Sequence, residues 1–535
     1  MVESQRTGVV LCRCRGKASD AMLDSVSAFL QEKRPGIPVT VADNLCEQRI
    51  LPDIVQRYGV RSVVVGACSD LDVGLHFWEG PDQAAVDHCS VRVVDMLAET
   101  ECWPSLESAE ERLKIMLWAQ VRRQDWAVAV PESSLKARFI KPRGSISRRR
   151  LLDAVLPRYQ VIPYVWSGGC VGLDRCGLCR EACPDRAIQA QGNAPFIDLA
   201  TCRGCGACVV ACPHGAISNP CFTQDQLGSE LEALLSTGGD SLRPRVIVIG
   251  CQGCMPSPRR DVGPGVFSLE VPCLAMISPW LLLRSFDLGA QGLALVSDQA
   301  NCPLGIESCP SEQYIPFARE LLKVWDIEPD RIQCHDGAGA DEFLGGFAER
   351  VASLPPTPLQ MSEPCAVPAK GRRLSSLVAG MTGKLAPGST GTVCVPGVPF
   401  GDVTVESNAC TACGLCELHC PSGALRFTST GGSVRFHFEH RLCLGCGRCV
   451  EACPEKCIEM EKVLKLDALE GAPRLLLGGE MAVCRQCGTP FAPKAMIDRL
   501  RDRLEAAGIS TSQLDICPEC RAGVVRRQRR QSVGA

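Results

Sequence analysis

Two periodicities alternate along the chain. Near the amino end, Thr7–Leu11, Val39–Val41 and Val60–Gly66 are short apolar, β-branched runs of strand length. Between the first two, Met22, Leu23, Val26, Phe29 and Leu30 recur at helical spacing behind Ser19 or Asp20, either of which can cap the first turn. Ile50–Tyr58 and Glu107–Arg123 carry the same helical pattern. It returns with Val246–Ile249 and Leu293–Ser297 as strands and with Pro279–Leu288 and Pro316–Val324 as helices. Alternation of this kind predicts two small parallel α/β modules, over 1–140 and 225–354. Two other segments read as hairpins. Ala187–Gln191 and Phe196–Asp198 flank Gly192-Asn193, and Leu425–Thr428 and Val434–Phe438 flank Gly431-Gly432. A basic connector occupies 141–165, and the Pro-, Gly- and Ser-rich stretch 355–400 reads as a second linker. An Arg-rich tail covers 526–535.

Cysteine decides what lies around the hairpins. The chain of 535 residues has 36 cysteines. Three runs share the spacing C-x2-C-x2-C-x3-C-P: Cys202, Cys205, Cys208 and Cys212; Cys410, Cys413, Cys416 and Cys420; Cys443, Cys446, Cys449 and Cys453. A fourth run is altered. Cys176, Cys179 and Cys183 keep the pattern, but Leu173 stands where the first cysteine belongs. Cys170 is the favoured substitute; a three-iron cluster or a role for Asp174 is the other reading. These runs resemble the bacterial ferredoxin pattern, in which three thiolates and the last cysteine of a paired run hold each cubane. The resemblance implies two dicluster (βαβ)2 modules, 166–222 and 401–465, with four 4Fe–4S clusters. Small residues such as Gly204, Gly206, Gly414, Gly445 and Gly447 would let the backbone approach the cubane closely. Cys457 is surplus to the spacing and reads as a packed, inert thiol; His419 reads as filler.

Cys484-x2-Cys487 and Cys517-x2-Cys520 form a zinc-ribbon-like knuckle pair within 480–525. Four thiolates at this spacing suit a closed tetrahedral zinc site, with a rubredoxin-like iron as the alternative.

The stretches VLCRC, NLCEQ, VVVGACS and TECWPSLESAEERLKIMLWAQ resemble the amino-terminal domain of the A-type component of heterodisulfide reductase. That resemblance implies a further 4Fe–4S cluster on Cys12 or Cys14, Cys46, Cys68 and Cys102. The flavin domain of that family has no counterpart here, because no G-x-G-x-x-G follows a strand. VIVIGCQGC, EVPCLAMISPWLLLRSFDLGAQGLALVS and NCPLGIESCP resemble the delta subunit of methyl-viologen-reducing hydrogenase. A 2Fe–2S centre is implied there, on four of Cys251, Cys254, Cys273, Cys302 and Cys309. Gly250 and the Cys309-Pro310 pair depart from that family's usual pattern.

Net charge is −3 and aromatics make up 5% of residues, which speaks against a general nucleic-acid-binding surface. No apolar stretch reaches membrane-spanning length, the amino end has no signal-peptide pattern, and thiols in metal-ligand spacing argue against disulfide stapling. A cytoplasmic location follows as an expectation. The expected function is a multi-cluster electron-transfer subunit, itself non-catalytic, working with heterodisulfide-reductase, hydrogenase or formate-dehydrogenase subunits and a flavin subunit outside this chain. A redox-sensing regulator that reads nucleic acid through the ribbon and Arg tail is the alternative.

Overall fold

The computed structural model describes residues 7–45, 51–68, 91–101, 105–128, 131, 134–138, 158–251, 262–300, 302, 304, 310–337, 339–358 and 370–522. The connector 141–150, the tail 526–535 and Cys46, Cys102, Cys254 and Cys309 lie outside them. The chain divides into two units, Met1–Cys170 with Leu178–Val367, and Val171–Gly177 with Pro368–Ala535. The architecture is mixed α/β and multidomain.

Two four-stranded parallel sheets organise the first unit. The amino-terminal sheet runs Val39–Ala42, Thr7–Cys12, Ser62–Ala67, Val91–Asp95 in spatial order. Its β-branched strands bury every residue of Thr7–Cys12 and Ser62–Ala67, as expected for strands covered on both faces. Helix Asp20–Lys33 begins where Ser19 Oγ accepts from Met22 N at 3.3 Å, and it buries Met22, Leu23, Val26 and Leu30. The second sheet runs Val266–Val271, Val246–Cys251, Gly292–Ser297, Ile332–Asp336. Both sheets therefore share the order 2-1-3-4, which leaves a crevice at the carboxyl ends of the first and third strands.

Helix Leu106–Gln124 joins these modules. Leu113, Leu117 and Val121 enter the amino-terminal core, and the helix also packs along helix Gln224–Ser236. Arg123 pairs with Glu230 at that contact, both side chains 3% exposed. The second helix is started by a capping box between Thr223 and Gln226, a T-x-x-Q signal present in the sequence.

Each cysteine-rich module has the same local plan. In the first, Tyr164–Val165 pairs with Ile217–Ser218, and hairpin Ile188–Gln191/Ala194–Ile197 lies between helices Leu178–Glu181 and Ala207–Ala211. In the second, Asp402–Val405 pairs with Ile458–Glu461, and hairpin Leu425–Thr430/Ser433–Phe438 lies between helices Leu415–Leu418 and Arg448–Glu451.

One expectation needs correction. The stretch 355–400 holds helix Lys370–Leu385, which buries Val378 and Met381 and packs on the turn His440–Leu442, so it is not a featureless linker. Strand Arg474–Val483 pairs with Ser433–Phe438 and with Pro490–Pro493, so the carboxyl-terminal segment extends the sheet of the second hairpin. Asp402 reinforces the junction, accepting from Lys465 at 2.6 Å and Arg474 at 2.8 Å. Burial pushes its carboxyl upward, but these two cations outweigh that and hold it below its usual value. Among the described residues no helix is long and apolar enough to cross a membrane.

Candidate iron–sulfur and metal centres

The paired runs interlock. In the second module, burial pushes the thiols of Cys443 and Cys449 up to about 12, and the proximity of Cys420, from the other run, adds to both. Cys453 in turn acts on Cys410, whose thiol is also raised first by burial. Each run's last cysteine therefore faces the first three of its partner. In the first module Cys183 likewise acts on the other run: on Cys205, which burial pushes up to about 11, and on Cys208, which burial holds well above its usual value. Thiols forced together in a desolvated space resist ionisation alone; a bound cation reverses that balance, because metal ligation needs the thiolate. A cavity lined by Cys410, Cys413, Cys416, Cys453 and Cys457 opens in the second module. Gly414, Gly447 and Gly206 take φ of +80°, +75° and +78° at the helix starts within three runs. The donor set and the cavity fit a cubane.

Loop Val171–Gly177 belongs with the second unit. Arg175 Nε donates to Leu418 O at 3.0 Å, and Cys176 contributes to the raised thiol of Cys446, where burial is the larger cause.

In the α/β modules, the crevice ends of parallel strands gather the cysteines. Cys12 ends the first strand, Cys68 follows the third, and pairing of Leu11 with Gly66 sets them side by side. Cys14 N donates to Cys12 Sγ at 3.2 Å and Leu45 N at 3.4 Å. A hydrogen bond from the Cys14 thiol, with those backbone donors, brings Cys12 down to about 6 in spite of burial. The thiol of Cys14 rises correspondingly, first through Cys12 and further through burial and Cys68. In the second sheet Cys251 ends its strand, Cys273 follows the neighbouring strand, and Cys302 follows Gly292–Ser297. Leu274 N donates to Cys251 Sγ and Ala275 N to Cys273 Sγ, each at 3.4 Å.

The carboxyl-terminal knuckles converge. The sulfurs of Cys484, Cys487, Cys517 and Cys520 all lie within 4.8 Å of one another, with Cys487 and Cys517 at 3.7 Å. A tetrahedral site with bonds of about 2.3 Å has sulfur–sulfur edges of about 3.8 Å. Backbone donation from Cys517 N leads the lowering of Cys484 to about 6, whereas hydrogen bonds with Cys517 and Cys487 push Cys520 up to about 12.

Two cysteines lie outside the ligand spacing. Cys457 is not set apart: its sulfur lies 3.5 Å from that of Cys453 and it also hydrogen-bonds Cys410. Cys221 is disulfide-bonded, an exception to the expectation of reduced thiols throughout.

The first module meets the second sheet directly. Cys205, Ala207, Cys273, Ala275 and Leu304 form one buried core with Cys302 packed against it. Arg203 donates to Leu304 O at 2.9 Å and pairs with Asp185 at 2.8 Å. A Cβ at Gly206 would overlap Met276. Gly206→Ala is therefore expected to cost about 1–2 kcal/mol from the left-handed backbone alone. Met276→Ala in the same chain should relieve only the remainder, as read by anaerobic thermal unfolding.

Comparisons with known proteins agree with this geometry. Residues 409–457 match the 4Fe-4S dicluster domain, 195–218 the 4Fe-4S binding domain and 246–354 the delta subunit of methyl-viologen-reducing hydrogenase. The chain carries ferredoxin-type 4Fe–4S domains and a domain similar to that delta subunit. An uncharacterized ferredoxin of Methanocaldococcus jannaschii is 46% identical over 39 residues, 7% of this chain and 26% of that protein. The B component of the ion-translocating oxidoreductase complex of Methanosarcina acetivorans is 39% identical over 51 residues, 10% of this chain and 18% of its own. The ferredoxin-type protein NapF of Haemophilus influenzae is 42% identical over 59 residues, 10% of this chain and 34% of its own. The chain thus spans about a third or less of the length of these relatives. They bear out the ferredoxin-type domains, and the family match bears out the delta-subunit-like domain expected from the sequence.

Proposed function

We propose that this chain relays single electrons between partner subunits of a cytoplasmic oxidoreductase complex of the heterodisulfide-reductase, hydrogenase or formate-dehydrogenase type. When bound, the clusters supply one-electron redox chemistry, with potentials set by hydrogen bonding and burial. Four cubanes are assigned to the two cysteine-rich modules, with Cys170 completing the altered run. A further 4Fe–4S site is assigned to Cys12 or Cys14 with Cys46, Cys68 and Cys102, in the manner of the A-type component of heterodisulfide reductase. Cys251, Cys273 and Cys302, together with Cys254 or Cys309, are assigned a 2Fe–2S centre. Zinc is assigned to the carboxyl-terminal knuckles, whose four sulfurs leave no open position for substrate chemistry.

The observation that carries this reading is the shared core of Cys205, Cys273 and Cys302. Two candidate centres of different type thereby have thiols in one water-excluding contact, as a relay requires and an isolated ferredoxin does not. The chain's own part is to exclude water and to aim backbone N–H groups at Cys12, Cys251 and Cys273, which favours their thiolates.

Anaerobic metal analysis with stepwise reduction followed by EPR tests the reading. About 22 irons and one zinc per chain are expected, reduced in several one-electron steps. About 16 irons would leave the ferredoxin modules alone and remove both α/β centres. Protein that is colourless and EPR-silent after dithionite would end the relay reading altogether.

A further inference from the structure

The residue four positions beyond the last cysteine of each run is Ala187, Ala216, Ala424 and Cys457. All four are buried, at 1%, 1%, 2% and 5% exposure. The register places this residue against the fourth sulfur: Ala187 N donates to Cys183 Sγ at 3.3 Å. In three runs the side chain there is a methyl group. In the last it is a thiol, 3.5 Å from the sulfur of Cys453 and within hydrogen-bonding reach of Cys410. The cavity bounded by Cys410, Cys413, Cys416 and Cys453 is bounded by Cys457 as well. Glu406 N donates to Cys457 O at 2.9 Å, which ties this position to the turn that precedes Cys410. One cavity therefore presents five thiols to a group that takes four.

We propose that Cys457 is an alternative fourth ligand for the cluster bound by Cys410, Cys413 and Cys416, able to exchange with Cys453. In the exchange the iron–sulfur bond to Cys453 breaks, one to Cys457 forms, and the Cys457 proton passes to the departing Cys453 thiolate. Charge and oxidation state are unchanged. The 3.5 Å separation lets the proton cross directly, with no other residue and no water needed. The proposal rests on the reading of this module as a cubane site.

Three variants of the full chain test it, prepared anaerobically: Cys453→Ser, Cys457→Ala and Cys453→Ser/Cys457→Ala. The alanine reproduces what the other three runs carry, so Cys457→Ala is expected to fold and keep full iron content. Cys453→Ser is also expected to keep full iron, with an altered EPR signal from that cluster. The double variant is expected to lose at least one iron per chain and to show a three-iron EPR signal when oxidised. Equal iron content and identical spectra in the single Cys453→Ser and double variants would overturn the exchange and leave the cluster assignment standing. A wild-type protein without a four-iron cluster in this module would overturn both.

Discussion

Cys517→Ala is expected to release the carboxyl-terminal metal and unfold everything beyond strand Arg474–Val483. Structural zinc contributes on the order of 10 kcal/mol to the folding of small zinc domains. Little else holds this segment. Helix Lys494–Ala506 buries only Ile497. Its ion-pair anchors are Arg501 to Asp515 at 2.7 Å, Arg503 and Arg499 to Glu455 at 2.8 and 3.3 Å, and Lys494 to Glu480 at 3.3 Å, pairs whose basic side chains are all between 32% and 58% exposed. Pairs of that kind contribute about 0–1 kcal/mol each. Cys517 has a double role, since its N–H donates to Cys484 Sγ at 3.3 Å while its own sulfur faces that of Cys487. The hairpin Leu425–Thr430/Ser433–Phe438 has its own buried core in Phe436 and Phe438 and should survive. Limited proteolysis is thus expected to cut the variant rapidly within 484–522, with loss of one zinc and no iron. A variant that retained its zinc and resisted cleavage would show that packing, not the metal, holds the knuckles.

How much the sequence makes legible follows from how local each signal is. The ferredoxin-type runs repeat within a dozen residues, so their spacing alone identifies them. The 2-1-3-4 order of the two sheets is not local, and Cys12 reaches Cys68 only through the pairing of Leu11 with Gly66. Family resemblance, rather than any spacing along the chain, is what groups those cysteines in the sequence. Helix Lys370–Leu385 carries Leu374, Val378, Met381 and Leu385 on one face, but Gly371, Gly380 and Gly383 blur the pattern into that of a linker. Gly478 and Gly479 likewise hide strand Arg474–Val483, which forms because the exposed edge of the hairpin offers a partner. Spacing leaves Cys457 surplus because it counts ligands along the chain. Pairing of Val405 with Ile458 carries the end of one run back to the start of the other, and Cys457 with it.

Arg112→Met is expected to destabilise the first unit by about 3–5 kcal/mol, the usual cost of leaving one partner of a buried ion pair uncompensated. Arg112 and Glu99 have side chains 2% and 7% exposed and meet at 2.5 Å. The same guanidinium donates to Pro264 O at 2.9 Å and Val266 O at 2.5 Å and stacks over Phe267 at 4.7 Å. Glu99 and Arg112 belong to the amino-terminal module, and Pro264, Val266 and Phe267 lead into or lie on the edge strand of the second sheet. One side chain thus satisfies a carboxylate in one module and two carbonyls in the other. Methionine keeps much of the volume but donates nothing, so a charge and two acceptors are left dry. Adding Glu99→Gln removes the stranded charge and should recover part of the loss, while the two carbonyls keep the remainder. Anaerobic denaturant unfolding reads both steps. Full recovery in the double variant would mean that the carbonyl contacts contribute nothing to the joint.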